Sequence, residues 1–246
     1  MLFWEIEKKS YYRCMKINAL YVDNFRGFHD TYIPLADVNF LVGENSTGKT
    51  SILSLLSLIS SFDFWLNGQF RVNNTEIDLG FYGDIDASHQ SGKNTVVAVL
   101  LKSDDDKSGT ALALYIGGDS KRKSRINKLK LISDKGELKV VIKNGTTYKK
   151  FAEDNRYDEK NFISWATESF EVDTSYKTDE DIVQRKNTPY FLIMNEIPER
   201  SRSAMQLIQE LFSDNLTWIS PIRAKPRRTY DEFVYEFSTE GTHTPN

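Results

Sequence analysis

The stretch that most constrains this chain is residues 43–50, Gly-Glu-Asn-Ser-Thr-Gly-Lys-Thr, which match the pattern G-x-x-x-x-G-K-[ST] at every defined position. The stretch comes directly after the apolar run 38–42, which predicts a buried central strand. It leads into residues 49–66, where apolar side chains recur at helical spacing. A strand, a glycine-containing turn and a helix in this order predict a loop that binds phosphate groups.

The chemistry of such a loop indicates its ligands. Glycines let the backbone wrap closely, so that successive N–H groups point at phosphates, and the helix N-terminus adds partial positive charge. Lys49 is predicted to bridge the β- and γ-phosphates of a nucleotide, and Thr50 to give a hydroxyl ligand to Mg²⁺. ATP and Mg²⁺ are therefore the expected cofactors. The alternative is a glycine turn with a solvated lysine, and the flanking strand and helix argue against it.

Composition narrows the classes of function. The 32 basic and 35 acidic residues leave a net charge of -3, so any binding of nucleic acid needs a local patch of charge. The single cysteine, Cys14, cannot form an internal disulfide, and no apolar run is long enough to span a bilayer. We therefore expect a cytoplasmic protein with no membrane insertion.

The rest of the chain predicts a mixture of strands and helices. Apolar and β-branched runs separated by polar turns such as Asn144-Gly145 favour antiparallel hairpins. The predicted strands are 16–23, 31–34, 95–101, 111–116, 138–142 and 218–220. The predicted helices after residue 66 are one around 162–170 and one at 203–216.

The two ends of the chain differ from its middle. Residues 1–14 are expected to be an extension or a misassigned start, because the first strand pattern begins at Met15. Residues 240–246 have loop chemistry with no closing element. We therefore expect residues 15–246 to be the N-terminal part of a domain that is incomplete at its C-terminus.

The turn 24–28 (Asn-Phe-Arg-Gly-Phe), the run 38–42 and the glycine loop together resemble the N-terminal lobe of ABC-type ATPases of the RecF, SMC and OLD group. The resemblance implies an α/β fold of the phosphate-loop NTPase type, with a mixed sheet and an antiparallel β-subdomain. It also implies that Arg26 reaches the phosphates of the nucleotide and that Asn45 and Ser51 line the loop.

The nucleotide-binding residues predicted from the motif and the resemblance together form one set. They are Arg26, Gly43, Asn45, Ser46, Thr47, Gly48, Lys49, Thr50 and Ser51, with Thr50 also the metal ligand. No catalytic residue is identified in the chain. The L-S-x-G signature of such ATPases is absent, and the run 191–196 has Asn195 where a metal-binding aspartate is expected. ATP hydrolysis is therefore expected of the full-length protein rather than of this chain alone.

Residues 78–85 and 220–230 look like prokaryotic OLD-like ATPases of mobile defence systems, and residues 237–245 are similar to the next segment of those ATPases. That group includes PtuA of Septu and retron systems, which works with a separate HNH nuclease, and OLD proteins, which carry their own nuclease domain. The resemblance implies a homodimer or higher oligomer that sandwiches ATP between two heads and controls DNA binding or a nuclease in anti-phage defence. The alternatives are a RecF-like DNA repair ATPase and a truncated nucleotide-binding module without turnover.

Two basic stretches are candidates for contacts with DNA. Residues 121–130 contain six basic side chains in ten, which suit either a patch for DNA phosphates or a solvated hairpin loop. The loop is favoured, because no aromatic side chain is interleaved. Residues 223–228 form a second basic loop, fixed by Pro221 and Pro226, and a contact with nucleic acid or a partner subunit is about as well supported as a loop without such a contact.

Overall fold

Apolar side chains that alternate along the chain assemble one antiparallel sheet. The computed structural model describes residues 15–44, 47–61, 64–65, 93–103, 109–118, 124–133, 136–153 and 158–179. Its eight strands are ordered β2-β1-β3-β4-β5-β6-β7-β8, and every neighbouring pair is antiparallel. The strands are β1 Met15–Asp23, β2 Thr31–Pro34, β3 Thr95–Ser103, β4 Thr110–Gly118, β5 Ser124–Ser133, β6 Gly136–Lys143, β7 Thr146–Ala152 and β8 Lys177–Asp179.

Two helices cover opposite faces of this sheet. Helix α1 spans Lys49–Ile59, and helix α2 spans Phe162–Thr167 directly after a 3-10 turn at Glu159–Asn161. The side chains of α1 pack into one hydrophobic cluster with the sheet, and those of α2 pack into another. No helix among the residues described is long and apolar enough to cross a membrane.

We call the side of the sheet under α1 the aliphatic face. Strand residues two apart point to the same side, so alternate positions of β1 and of β3 to β6 supply its core. Helix α1 contributes residues three and four apart, the spacing that forms one helical stripe. The central members are Leu20, Val22, Val97, Val99, Leu112, Leu114, Leu129, Leu138, Val140, Ile52, Leu55 and Leu58.

We call residues 158–176 the strap and the side of the sheet that they cover the strap face. Small residues at Ala98 and Ala113 let the strap approach the sheet closely, and Phe162 and Phe170 of the strap are buried there. The Tyr115 hydroxyl of β4 donates a hydrogen bond of 2.6 Å to the carbonyl of Ala166. The strap face is thus closed by aromatic packing and by polar contacts.

The antiparallel hairpins predicted from the sequence are confirmed. Strands β6 and β7 are joined by Asn144 and Gly145, whose φ angles of 53° and 80° fit a two-residue hairpin turn. The predicted strands 16–23, 31–34, 95–101, 111–116 and 138–142 all lie within β1, β2, β3, β4 and β6. The helix predicted around 162–170 is present but ends at Thr167.

The prediction of a buried strand at 38–42 is wrong for this structure. These residues form no strand, and Val38, Phe40 and Val42 are 70%, 85% and 87% exposed. A strand needs a neighbour that accepts and donates its backbone hydrogen bonds, and no strand of the described sheet lies beside this run. An apolar run by itself therefore does not fix a buried strand.

Two further expectations concern the extent of elements. Helix α1 begins at Lys49 as predicted but ends at Ile59 rather than at 66, and the indole N–H of Trp65 donates to the Ile59 carbonyl at the helix end. The parallel strands that a mixed sheet requires are not among the residues described. The predicted strand 218–220 and the predicted helix 203–216 lie outside them, as do residues 1–14.

Candidate phosphate-binding site

A strained turn follows β1 and leads to β2. After Asp23 the backbones of Phe25 and Phe28 bond to each other in both directions, at 3.1 and 2.8 Å. Arg26 lies between them with a φ of 50°, the left-handed region that costs a residue with a Cβ about 1–2 kcal/mol. The completely buried ring of Phe25 anchors the turn in the core of the aliphatic face. The fold therefore holds Arg26 in a conformation that it would not adopt by itself.

The preceding residue secures the other side of this turn. Asn24, also at a positive φ of 55°, is fully buried and donates from Nδ2 to the carbonyl of Lys93 at 3.3 Å. The hydroxyl of Thr95 donates to the Asn24 carbonyl at 2.8 Å. The first residues of β3 and the segment before it thus fix the turn, and asparagine is one of the few residues suited to a left-handed backbone.

The side chain of Arg26 reaches the first turn of α1. Its Nη1 donates to Oγ of Ser51 at 3.1 Å, and Ser51 is buried. The guanidinium also lies 5.8 Å from the centroid of the Phe25 ring. The structure therefore places the Arg26 charge beside the N-terminal end of α1. A contact of Arg26 with nucleotide phosphates stays a prediction.

Gly48 of the glycine loop lies against the Phe28 ring of the turn 24–28, at a position that admits only glycine. Its φ is +89°, and a Cβ built there would lie 2.5 Å from Cζ of Phe28. The Gly48 carbonyl accepts the first backbone bond of α1, from the Ile52 N–H at 3.1 Å. The Phe28 ring thus supports the loop directly behind the start of the helix.

The ammonium of Lys49 folds over the loop. Its Nζ donates to the carbonyls of Gly43, at 2.8 Å, and Glu44, and to Oγ1 of Thr47 at 3.2 Å. The Thr47 hydroxyl in turn donates to the Glu44 carbonyl at 2.9 Å. Gly43 has a φ of +152°, and a Cβ there would lie 2.9 Å from the Thr47 hydroxyl oxygen. These contacts hold the loop closed around the ammonium group.

The donor groups at this end of α1 suit a phosphate ligand and a Mg²⁺ ion. Helix α1 has no acidic residue in its first turn, so the partial positive charge of its N-terminus is not offset by a carboxylate of that turn. The cations of Lys49 and Arg26 add to that charge, and the exposed residue Thr50 offers a hydroxyl. Gly43 and Gly48 carry no Cβ, so the backbone of the loop can approach a ligand closely.

The structure thus brings most of the predicted set together. Arg26, Ser51, Gly43, Thr47, Gly48, Lys49 and Thr50 lie at one end of α1. Asn45 and Ser46 lie outside the described residues, as do the runs 78–85, 191–196, 220–230 and 237–245. Among the described residues, no group of three or more His, Cys, Asp or Glu side chains that could hold a metal ion is found.

Sequence reasoning named the two motifs but missed the contacts between them. Phe28 had no predicted role, although its ring packs on Gly48. Tyr21 was predicted only as a strand residue, yet its hydroxyl donates to Oδ1 of Asp30 at 2.9 Å, beside the same turn. Burial is the main cause that raises the pKa of Tyr21, and the hydrogen bond to Asp30 raises it further. The repeated aromatic in the turn 24–28 was the available signal for Phe28.

The prediction of a solvated hairpin loop at 121–130 is wrong for residues 124–130. Residues 124–130 belong to β5, where Lys130 is completely buried and Lys128 is largely buried. The physical reason is that carboxylates far along the chain cover these lysines, which a local pattern of charge cannot indicate. Residues 121–123 lie outside the described part of the chain.

Comparison with known proteins agrees with this geometry. A family model described as an AAA ATPase domain matches residues 15–220. The match begins at the first residue of β1 and includes the turn, the glycine loop and the whole described sheet. No curated protein matches the chain.

Proposed function

The chain belongs to the AAA ATPase domain family, and on this premise we propose that it is the ATP-binding head of an ATP-dependent ATPase that associates with DNA or regulates a nuclease. Family membership implies a nucleotide-binding ATPase that typically uses Mg²⁺. The observation that carries the proposal is the convergence of Lys49, Gly48 and the Arg26–Ser51 pair at the N-terminus of α1.

The residues of the site have separate roles in this proposal. Lys49 exchanges its bonds to the loop carbonyls for bonds to the β- and γ-phosphate oxygens, which are stronger because both partners are charged. Arg26, held at the first turn of α1 by Ser51, adds a second positive charge beside the phosphates. Thr50 is the residue whose hydroxyl would hold Mg²⁺, and the ion would neutralise phosphate charge. The backbone N–H groups of the loop and of the first helical turn complete the phosphate site.

We place hydrolysis in a homodimer in which two heads enclose the nucleotides. The resemblance to the RecF, SMC and OLD group supports this arrangement. The described loop provides the phosphate contacts of such a site, while the residues that activate water are proposed to come from other parts of the protein. Closing and opening of the heads would then switch the DNA contact or the nuclease.

Anti-phage defence is the proposed biological setting. The likeness of residues 78–85 and 220–230 to OLD-like defence ATPases supports it. The effector would be a separate nuclease or a fused nuclease domain. A plaque assay in bacteria that express the gene together with its genomic neighbours tests this setting. Protection by the wild type that is lost in Lys49→Ala is the expected result, whereas no protection together with a DNA-repair phenotype would favour the RecF-like alternative.

Nucleotide binding itself is tested with the purified chain. We expect Lys49→Ala to weaken binding of a fluorescent ATP analogue by about 100-fold or more, because it removes the charge-assisted bonds to two phosphates. Lys160→Ala, an exposed lysine on the 3-10 turn, is the matched control and should leave the Kd unchanged. Circular dichroism confirms that both variants fold. An unchanged Kd in Lys49→Ala would show that the phosphate-loop assignment is wrong.

A further inference from the structure

Four lysines share the strap face on neighbouring strands, and we call them the lysine row. In the register of the sheet Lys130 of β5 lies opposite Lys139 of β6, which in turn lies opposite Lys150 of β7. Lys128 lies two residues from Lys130 along β5 and therefore on the same face. Like charges directly opposite each other destabilise a sheet, so this arrangement requires anionic partners.

The strap supplies most of those partners. Each ammonium of the lysine row meets a carboxylate of the strap, and that of Lys130 also donates to the Trp165 carbonyl at 2.6 Å. The pairs are Lys130–Glu168 at 3.0 Å, Lys139–Glu168 at 3.6 Å, Lys128–Glu171 at 2.6 Å and Lys150–Asp173 at 3.5 Å. One partner comes from the sheet and not from the strap, because Glu137 of β6 also pairs with Lys139, at 3.2 Å.

The two partners in these ion pairs differ in their exposure to water. The side chain of Lys130 is completely buried, whereas those of Glu168, Glu171 and Asp173 are more than half exposed. Burial lowers the pKa of Lys130, while its hydrogen bond to Glu168 acts in the opposite direction. Exposed carboxylates bind cations weakly in net terms, because water competes for both partners. An incoming anion can therefore exchange with these carboxylates at the surface.

The overall charges of the two elements are complementary. Strands β5, β6 and β7 carry seven basic side chains and one acidic side chain, whereas the strap carries five acidic and one basic. Three further basic residues, at 121–123, precede β5 in the sequence. The strap thus carries the charge opposite to that of the strands that it covers, and a ligand with many negative charges would be attracted to the same basic strands.

We propose that the lysine row is a binding site for the phosphate backbone of nucleic acid, and that the acidic strap occupies the row until nucleic acid displaces it. This inference rests on the DNA-associated part of the proposed function and not on the phosphate loop. A row of cations that recurs from strand to strand matches a ligand whose negative charges recur along a chain. The Phe170 ring makes cation–π contacts with two lysines of the row, with its centroid 5.2 Å from Lys128 Nζ and 5.3 Å from Lys130 Nζ. These contacts help to hold the strap on the row when no nucleic acid is bound.

Fluorescence polarisation with a labelled single-stranded oligonucleotide tests the proposal. The variant Glu168→Gln/Glu171→Gln/Asp173→Asn keeps the shape of the strap and removes its competing charges. We expect it to bind DNA at least about tenfold more tightly than the wild type, since each released lysine can take a phosphate instead. The matched control Asp30→Asn/Asp37→Asn/Glu44→Gln changes the net charge equally at exposed residues outside the strap and outside strands β5 to β7, and should change the Kd less than about twofold.

The opposite variant tests the row itself. Lys139→Gln/Lys150→Gln should weaken binding and reduce the salt dependence of log K by about 0.7 per lysine for a single strand. The strap variant overturns the proposal if its affinity equals that of the wild type or of the charge-matched control. A salt dependence in the lysine variant equal to that of the wild type also overturns the proposal. Lys150 is partly exposed, so this variant tests the row with the strap sequence unchanged.

Two controls establish which ligand the lysine row takes and whether the row acts separately from the nucleotide site. Polyglutamate that competes as well as unlabelled DNA would overturn the assignment to nucleic acid in favour of an acidic protein. Binding of the fluorescent ATP analogue should be unchanged in the strap and lysine variants, and DNA binding of the strap variant should persist with Lys49→Ala. The lysine row can thus fail while the nucleotide site holds, and the reverse outcome is equally visible.

Discussion

The two faces of the sheet are built from the same strands but are held by different forces. On β5 the side chain of Leu129 points into the aliphatic face, and that of its neighbour Lys130 points into the strap face. Both are completely buried. Leu129 is surrounded by aliphatic groups, whereas Lys130 is held by the Trp165 carbonyl and the Glu168 carboxylate. Burial alone therefore does not indicate how much a residue stabilises this fold.

The difference follows from the energetics of burial. An aliphatic side chain gains free energy in proportion to the apolar area that it removes from water. A buried ammonium first loses its hydration, and its partners restore only part of that loss. We therefore expect the aliphatic face to supply most of the stability, and the strap face to supply contacts that can be exchanged at low cost.

The largest effect is expected from Leu129→Ala. The substitution leaves a cavity in the core of the aliphatic face and should lower the free energy of unfolding by about 3 kcal/mol. Urea denaturation followed by circular dichroism measures the change. A loss below about 1 kcal/mol would mean that the core on this face collapses around the cavity, and would remove the contrast between the faces.

The predictability of the two faces differs for a related reason. Val97, Val99 and Leu101 alternate along β3, and this local pattern predicted the strand that the structure contains. The glycine loop and the start of α1 at Lys49 were likewise readable from adjacent residues. Each of these features depends on residues within one or two turns or on one strand.

Other features depend on partners that are distant in the sequence. Lys130 and Glu168 are 38 residues apart, so the basic stretch gave no sign that its lysines are covered. The ring of Phe28 and Gly48 meet only after the chain has folded back. The run 38–42 is the opposite case, in which the sequence predicts a buried strand that the structure does not contain. Its apolar composition is visible in the sequence, but whether a neighbouring strand lies beside it is not.

Tyr115→Phe sharpens the comparison through pH. The hydroxyl of Tyr115 donates to the Ala166 carbonyl in the strap face, and its loss should cost about 1–2 kcal/mol at pH 7. Burial and the nearby carboxylates Glu168 and Glu137 raise the pKa of Tyr115 well above its ordinary value near 10. Above pH 10 the unfolded chain therefore releases this proton while the folded protein keeps it, so stability falls as the pH rises.

The measurement is the free energy of unfolding at pH 9 and pH 11 in both proteins. We expect a fall in the wild type and a shallower fall in Tyr115→Phe, by about 1 kcal/mol. Tyr176, whose pKa burial raises to about 12, has the same sign and keeps part of the fall in the variant. Lys130 has the opposite sign, because its lowered pKa lets it gain stability as the pH rises. Equal slopes in the two proteins would rule out Tyr115 as a source of alkaline instability.

Lys130→Met should change stability by less than about 1 kcal/mol in either direction. Methionine keeps most of the volume of the lysine stem, and it removes the need to bury a charge. Glu168 retains Lys139 at 3.6 Å and remains more than half exposed, so it is not left as a buried isolated charge. Lys130→Ala, which also removes the stem, is the control and should be the less stable variant. A loss above about 3 kcal/mol in Lys130→Met would mean that the ion pair, and not the packing of the stem, holds the strap.

The smallest expected effect is that of Glu171→Gln, and its dependence on salt distinguishes the strap face from the aliphatic face. Glu171 is 71% exposed and pairs with Lys128 at 2.6 Å, so Glu171→Gln should cost about 0.5 kcal/mol at low salt. At 1 M NaCl the Debye length falls to about 3 Å, and the difference between variant and wild type should vanish. The loss in Leu129→Ala should persist at both salt concentrations, because apolar burial is not screened by ions. If both differences persisted in 1 M NaCl, the strap would be held by packing of Phe170 and its neighbours rather than by charge, and nucleic acid would have no electrostatic route to displace it.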